Sequence, residues 1–191
     1  PIIRPLNTSI TADEVTEITG ILNGTTNYIL TKMDQEGASY DEVLKQAQDL
    51  GYAERNPEAD VEGGDACRKI AILTSIVYGK HLDYTKIHTE GITKISTEDF
   101  KYADALGVSI KLVGTTKKEG DTLYSFVAPM MLDENHPLSG IHDVFNGIFV
   151  HGNVVDDIMF YGRGAGKLPT ASAVVSDVVD EVKHMGKNIM A

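Results

Sequence analysis

Val15-Thr16-Glu17-Ile18-Thr19-Gly20-Ile21-Leu22-Asn23-Gly24-Thr25-Thr26-Asn27-Tyr28-Ile29-Leu30-Thr31-Lys32-Met33 changes its period halfway along. Val15 to Leu22 is rich in β-branched residues and reads as a strand. Beyond Asn23-Gly24, apolar Tyr28, Ile29, Leu30 and Met33 recur at helical spacing. The segment is strand, turn, helix.

The same alternation continues on both sides of the chain's middle. Ser39 precedes the acidic Asp41 and Glu42, and Gly51 follows Leu50, which bounds a short capped helix. After the polar stretch Glu54 to Gly64 comes a long apolar helix, Asp65 to Tyr78, stopped by Gly79. His88 to Ile95 reads as a strand, Ser96 to Leu106 as a helix with Ser96 as cap, and Ser109 to Gly114 as a strand. Lys117 to Asp121 is a polar turn joining that strand to Thr122–Val127, which predicts antiparallel pairing. Strands follow at Gly147–His151 and Val155–Tyr161, then a helix, Ala171 to Met185, with Val174, Val175, Val178, Val179 and Val182 on one broad side. The predicted class is α+β, a mostly antiparallel sheet covered by helices.

Composition narrows the partners. With 191 residues, 42% of them hydrophobic, the chain can bury the core of one domain. Asp and Glu number 28 against 17 Lys and Arg, a formal charge of -11 that disfavours both nucleic acid and an anionic membrane surface. No apolar run approaches the roughly 20 residues that span a bilayer. One cysteine, Cys67, excludes an internal disulfide, and no signal peptide opens the sequence, so the expected compartment is the cytoplasm. Pro1-Ile2-Ile3-Arg4-Pro5 begins in mid-pattern, as a cut chain would. The six histidines are scattered without metal-ligand spacing, so no divalent metal site is expected.

Four local patterns carry chemistry. Asn23-Gly24-Thr25-Thr26 lies where a strand feeds a helix, and unpaired N–H groups there suit an anion such as a carboxylate, to which Thr25 adds a hydroxyl. The same residues equally serve as a tight turn at Gly24 with Thr25 or Thr26 as helix cap. Tyr52-Ala53-Glu54 precedes Asn56-Pro57 in an irregular stretch, where an acid suits a substrate ammonium or simply faces water. Asp65 and Lys69, four apart, begin a helix stripe that continues with Ile72 and Ile76, beside the apolar stripe Ala66, Ile70, Leu73 and Val77. A helix buried on two sides must open its charged end onto a cleft or a partner charge. The alternative is a surface ion pair worth only ~0.3–0.5 kcal/mol. Gly162-Arg163-Gly164-Ala165-Gly166 follows a strand and precedes a helix, but its G-x-G-x-G spacing is not a dinucleotide fingerprint.

Taken in order, Gly20 to Tyr28, Gly51 to Glu54, Asp60 to Lys69, and Gly162 to Gly166 with Pro169-Thr170-Ala171, the series resembles homoserine dehydrogenase from about Pro1 to Asp180. The weaker stretches His136-Pro137-Leu138 and Asn146-Gly147 are also similar to that family. The resemblance implies a substrate-binding and dimerisation domain over residues 1–170, and a helix over 171–191 that would return to a Rossmann domain this sequence does not contain. It implies NAD(P)-dependent interconversion of L-homoserine and L-aspartate 4-semialdehyde, on the pathway to threonine, methionine and isoleucine. Lys69 and Asp65 would be the catalytic polar residues. Gly24, Thr25, Tyr52, Glu54 and Asp60 would bind substrate, and Gly162, Gly164 and Gly166 would contact the nicotinamide side of NAD or NADP. The family's further lysine and its monovalent-cation loop would lie upstream of Pro1, so the isolated chain is expected to be inactive, to bind no cofactor and to form a homodimer. Two other readings stay open: a catalytically silent amino-acid-binding or dimerisation module, and a two-domain dehydrogenase acting on another aldehyde.

Overall fold

The computed structural model describes residues 2–185. Its centre is a six-stranded sheet in the spatial order β2 (His88–Thr89), β4 (Thr122–Asp133), β3 (Val108–Glu119), β1 (Val15–Ile21), β5 (Phe145–Gly152), β6 (Asp156–Arg163). All neighbours are antiparallel except β2 with β4. The helices are α1 (Ile3–Thr8), α2 (Gly24–Glu36), α3 (Tyr40–Asp49), α4 (Glu58–Val61), α5 (Gly64–Tyr78), α6 (Thr97–Leu106) and α7 (Lys167–His184). This is the α+β class that the pattern predicts. Among the described residues no helix is long and apolar enough to cross a membrane.

Alternation along the strands divides the core. On β3, Ile110 and Leu112 face α5 and α2 in the main core with Ile18, Ile29, Ile70 and Val127, whereas Val113 joins a smaller cluster on the opposite face with Ile21, Leu138, Ile141 and Phe149. Each fully buried Ile or Val contributes about 1.5–3 kcal/mol. α5 is further tied to the sheet by a buried chain of hydroxyls, Thr74 to Thr116 at 2.7 Å and Thr116 to Ser125 at 2.7 Å. That anchorage fixes the direction in which α5 presents its N-terminal end.

Local chemistry explains the boundaries. Ser39 with Glu42 and Ser96 with Asp99 form capping boxes at α3 and α6. The β3–β4 turn contracts to Gly120-Asp121, with Gly120 at φ 59°. Lys117 and Lys118 therefore belong to the ladder and not to the turn. β4 continues past Val127 through Pro129, because β2 pairs only with Phe126 and Val127 and the edge beyond them is free, where a proline costs no ladder bond.

Three expectations are corrected, and one segment to which the sequence assigned no element is added. His88–Ile95 is not one strand: after Thr89 the chain turns at Gly91, where a Cβ would lie 2.2 Å from the Val61 carbonyl, and Ile92 plugs the core while its N–H donates to that carbonyl. The first residues form α1, with Pro5 inside the first turn, where its missing donor is not needed. The stripe of α5 bearing Ile72 is open, with Ile72 52% exposed. Finally, α7 begins at Lys167, four residues before the expected start, and none of its residues is buried; the valine side is bare, with Val174 58% exposed. Residues 186–191 of the expected C-terminal segment lie outside the described residues.

Candidate active site

β1 ends at Ile21, and the next two residues organise the site. The Leu22 carbonyl accepts a hydrogen bond of 3.0 Å from Lys69 Nζ, which also lies 2.7 Å from Asp65 Oδ2 one turn earlier in α5. Asn23 caps α2, its side chain accepting from the Thr26 N–H at 2.9 Å. The capping residue is thus Asn23, neither Thr25 nor Thr26, which leaves Gly24 and Thr25 N–H at the first turn with no intrahelical acceptor. The Asn23 amide donates to Asp60 at 2.8 Å and to Asp65 at 2.9 Å. Two carboxylates and one ammonium converge, a net negative group that suits a cationic ligand.

The remaining predicted substrate residues stand in different settings. Gly24 is the first residue of α2, and a Cβ there would stand 2.9 Å from the Val144 carbonyl. It is small because the backbone passes close, not because a turn needs a left-handed residue. Thr25 Oγ1 donates to the Tyr52 carbonyl at 2.7 Å, so its proton is already used. Tyr52 packs edge-on against Tyr28 with ring centroids 5.0 Å apart. Glu54 is exposed, in an irregular segment, and its carbonyl is held by Gln48 at 3.1 Å.

A cleft of about 810 Å³ opens beside Lys69. Its walls are Leu22 and Ile72, the inner side of β5–β6 through Ile148 and Phe160, the loop Gly162–Gly164, and the first turns of α7. Of the predicted site residues the cleft wall therefore holds Lys69, Gly162 and Gly164, and leaves Gly24, Thr25, Tyr52, Glu54, Asp60, Asp65 and Gly166 off it. The glycines differ in kind. Gly166 takes φ 118° as it precedes α7, and a Cβ on Gly164 would strike the Asn146 amide at 2.8 Å. A Cβ on Gly162 would meet nothing within 4 Å, so this position opens onto free space. An apolar-walled cleft with a glycine edge and one ammonium on its lining has room for a flat ring.

Sequence reasoning missed the asparagines. Asn23 was readable as a helix cap, since asparagine favours that position. Asn27 donates to the carbonyls of Ile141, Asp143 and Phe145 at 3.2, 3.0 and 3.1 Å, pinning the segment that presses Val144 on Gly24. Asn146 stands between Gly24 and Gly164 in the cleft wall. The partners of Asn27 lie 114 to 118 residues away, and no local pattern announces them.

Comparison with known proteins gives the family. The family model described as homoserine dehydrogenase matches residues 1–179. The homoserine dehydrogenase of Bacillus subtilis is 46% identical over 97% of this chain, and that of Synechocystis is 49% identical over 95%. The crystal structure of a homoserine dehydrogenase from Thiobacillus denitrificans superposes with a TM-score of 0.95 at 40% identity, covering 98% of this chain and 44% of that one. A hyperthermophilic archaeal homoserine dehydrogenase in complex with NADPH superposes with a TM-score of 0.78 at 28% identity, covering 94% of this chain and 51% of that one. The chain spans 43% of the length of the two curated relatives. The chain belongs to the homoserine dehydrogenase family.

Proposed function

We propose that these residues form the substrate-binding part of an enzyme that interconverts L-homoserine and L-aspartate 4-semialdehyde with NAD or NADP. The observation that carries this reading is the Lys69 ammonium, held by Asp65 and the Leu22 carbonyl on the wall of a cleft edged by Gly162 and Gly164. When bound, the nicotinamide supplies or accepts the hydride. Reduction of the aldehyde turns its oxygen into an incipient alkoxide, and Lys69 offers the cation that stabilises it. The first-turn N–H groups at Gly24 and Thr25 receive the substrate carboxylate, while Asp60 and Glu54 hold its ammonium and Tyr52, tied to Thr25 through its carbonyl, borders the substrate beside the cleft. Gly162, Gly164 and Gly166 shape the edge against which the nicotinamide would lie. That an archaeal relative was solved in complex with NADPH supports a nicotinamide cofactor for the complete enzyme.

The nucleotide-binding portion belongs, on this reading, to another segment of the enzyme, with the bare valine side of α7 packed against it. The 191 residues by themselves carry no dinucleotide fingerprint and are proposed to be inactive alone. The sheet face opposite the helices, with Tyr124 and Met159 exposed on it, is proposed to pair with a second copy. Homoserine-dependent reduction of NAD(P)+ by the complete polypeptide tests the activity. Absence of turnover there, with the protein folded, would remove it.

A further inference from the structure

Asn23 is 6% exposed, and its carboxamide is fully used. Nδ2 donates to Asp60 Oδ1 at 2.8 Å and to Asp65 Oδ2 at 2.9 Å, while Oδ1 accepts from the Thr26 N–H at 2.9 Å and from the Thr26 hydroxyl at 3.2 Å. The orientation of the amide is fixed by its partners, since carboxylates only accept and the N–H only donates. Asp60 comes from α4 and Asp65 from α5, so one side chain at the end of β1 ties three elements together.

Asp65 Oδ2 is shared between Asn23 and Lys69, and Lys69 in turn reaches the carbonyl of Leu22, the neighbour of Asn23. The bonds close a ring: Leu22 carbonyl, Lys69 ammonium, Asp65 carboxylate, Asn23 amide, and back along the chain. As a half-exposed ion pair, Lys69–Asp65 would contribute at most ~1 kcal/mol and would not by itself hold a lysine still. The ring supplies the missing constraint.

We propose that Asn23 is a positioning residue: its neutral amide holds the carboxylates of Asp60 and Asp65 side by side and, through Asp65, fixes Lys69 against the reacting oxygen. This inference rests on the homoserine dehydrogenase reading of the site. An amide is the group this position calls for. A carboxylate would set a third negative charge against the other two, and an apolar side chain would leave two carboxylates facing each other with no donor between them.

Two substitutions separate positioning from helix capping. Asn23→Asp and Asn23→Ser both keep an oxygen for the Thr26 N–H, but neither has two hydrogens for Asp60 and Asp65. The test measures kcat/KM for homoserine oxidation by the complete polypeptide from mildly acid to alkaline pH, with thermal melts by circular dichroism. Asn23→Ser should lower kcat/KM by roughly 10–100-fold, the scale of a displaced catalytic group, while melting within a few degrees of wild type. Asn23→Asp should be closest to wild type at the acid end, where a proton shared among three carboxyl groups restores one donor, and should fall progressively behind as pH rises. Wild-type kcat/KM and pH profile in both folded variants would overturn the positioning role and leave Asn23 as a cap. If Asn23→Asp fails to fold, Asn23→Ser alone decides. Failure of the wild-type polypeptide to oxidise homoserine would instead overturn the reading of the site, and with it this proposal.

Discussion

The Thr25 hydroxyl donates to the Tyr52 carbonyl at 2.7 Å, which joins the first turn of α2 to the loop between α3 and α4. The loop is otherwise held at its start, where the Tyr52 N–H reaches the Ala47 carbonyl at 2.8 Å. Thr25 therefore fastens that loop to α2. On the proposed reading Thr25→Val should raise KM for homoserine by roughly 3–10-fold, as expected from losing a hydrogen bond of about 1 kcal/mol, with kcat little changed. Thr25→Ser should restore wild-type kinetics. Steady-state assays check this, and an unchanged KM in Thr25→Val would show that the tie does not matter for binding.

Gly162 and Gly164 offer a contrast within one loop. Gly164→Ala drives a methyl into the Asn146 amide and should destabilise the protein by about 1–3 kcal/mol in urea unfolding. Gly162→Ala places its methyl in open cleft and should leave the unfolding midpoint unchanged while weakening nicotinamide cofactor binding by the complete enzyme. Equal cofactor KM values for wild type and Gly162→Ala would remove Gly162 from the cofactor site.

Lys111 is a buried lysine away from the cleft, 3% exposed, with Nζ donating to the Ile141 carbonyl at 2.6 Å. Burial pushes its ammonium down to about 8, with Asp34 and Asp143 opposing the shift. Between that value and the ordinary 10.5 the unfolded chain holds a proton that the folded chain does not. The stability contributed by this residue therefore rises with pH across that window, and below it the buried charge is a cost. The Ile141 carbonyl keeps the Asn27 amide at 3.2 Å, so Lys111→Met leaves that carbonyl a donor. Lys111→Met should be more stable than wild type by about 1–3 kcal/mol at neutral pH, and the difference should shrink as pH rises through the window. Urea unfolding at several pH values measures it. A less stable variant at neutral pH would mean that the ammonium is a net anchor for the segment around Ile141.

The proposed dimer rests on the part of the opposite sheet face where half-buried Phe126 alternates with the fully buried Val127 and so points away from the helices. Phe126→Asp should convert a sedimenting dimer to a monomer with unchanged far-ultraviolet circular dichroism. A wild type that sediments as a monomer at high concentration would contradict the pairing.

The frame of the fold was legible because it follows from local rules. The change of period at Asn23, the serine caps before α3 and α6 and the glycine stops each require only a few consecutive residues. What was not legible depends on distant partners. β4 extends past Pro129 because β2 happens to be two residues long, and Ile92 leaves its strand-like run because Gly91 meets the Val61 carbonyl. The Asp65–Lys69 pair could be read from its spacing of four, and the structure adds its opening onto a cleft. The clamp by Asn23 could not be read, because it joins residues 37 and 42 positions apart. The stripe through Ile72 looked buried, since a sequence pattern cannot tell a covered apolar face from one that lines a cleft.

The central claim is that Lys69 stabilises the reacting oxygen and that Glu54 only grips the substrate ammonium. It is tested most directly by steady-state oxidation of homoserine by the complete polypeptide carrying Lys69→Ala, with Glu54→Gln alongside. The account predicts that Lys69→Ala lowers kcat by roughly 10²–10³-fold, the scale of losing one transition-state donor, and that Glu54→Gln acts mainly on KM. Near-wild-type kcat in a Lys69→Ala protein whose circular dichroism is intact would make Asp65 and Lys69 a structural ion pair and contradict the account.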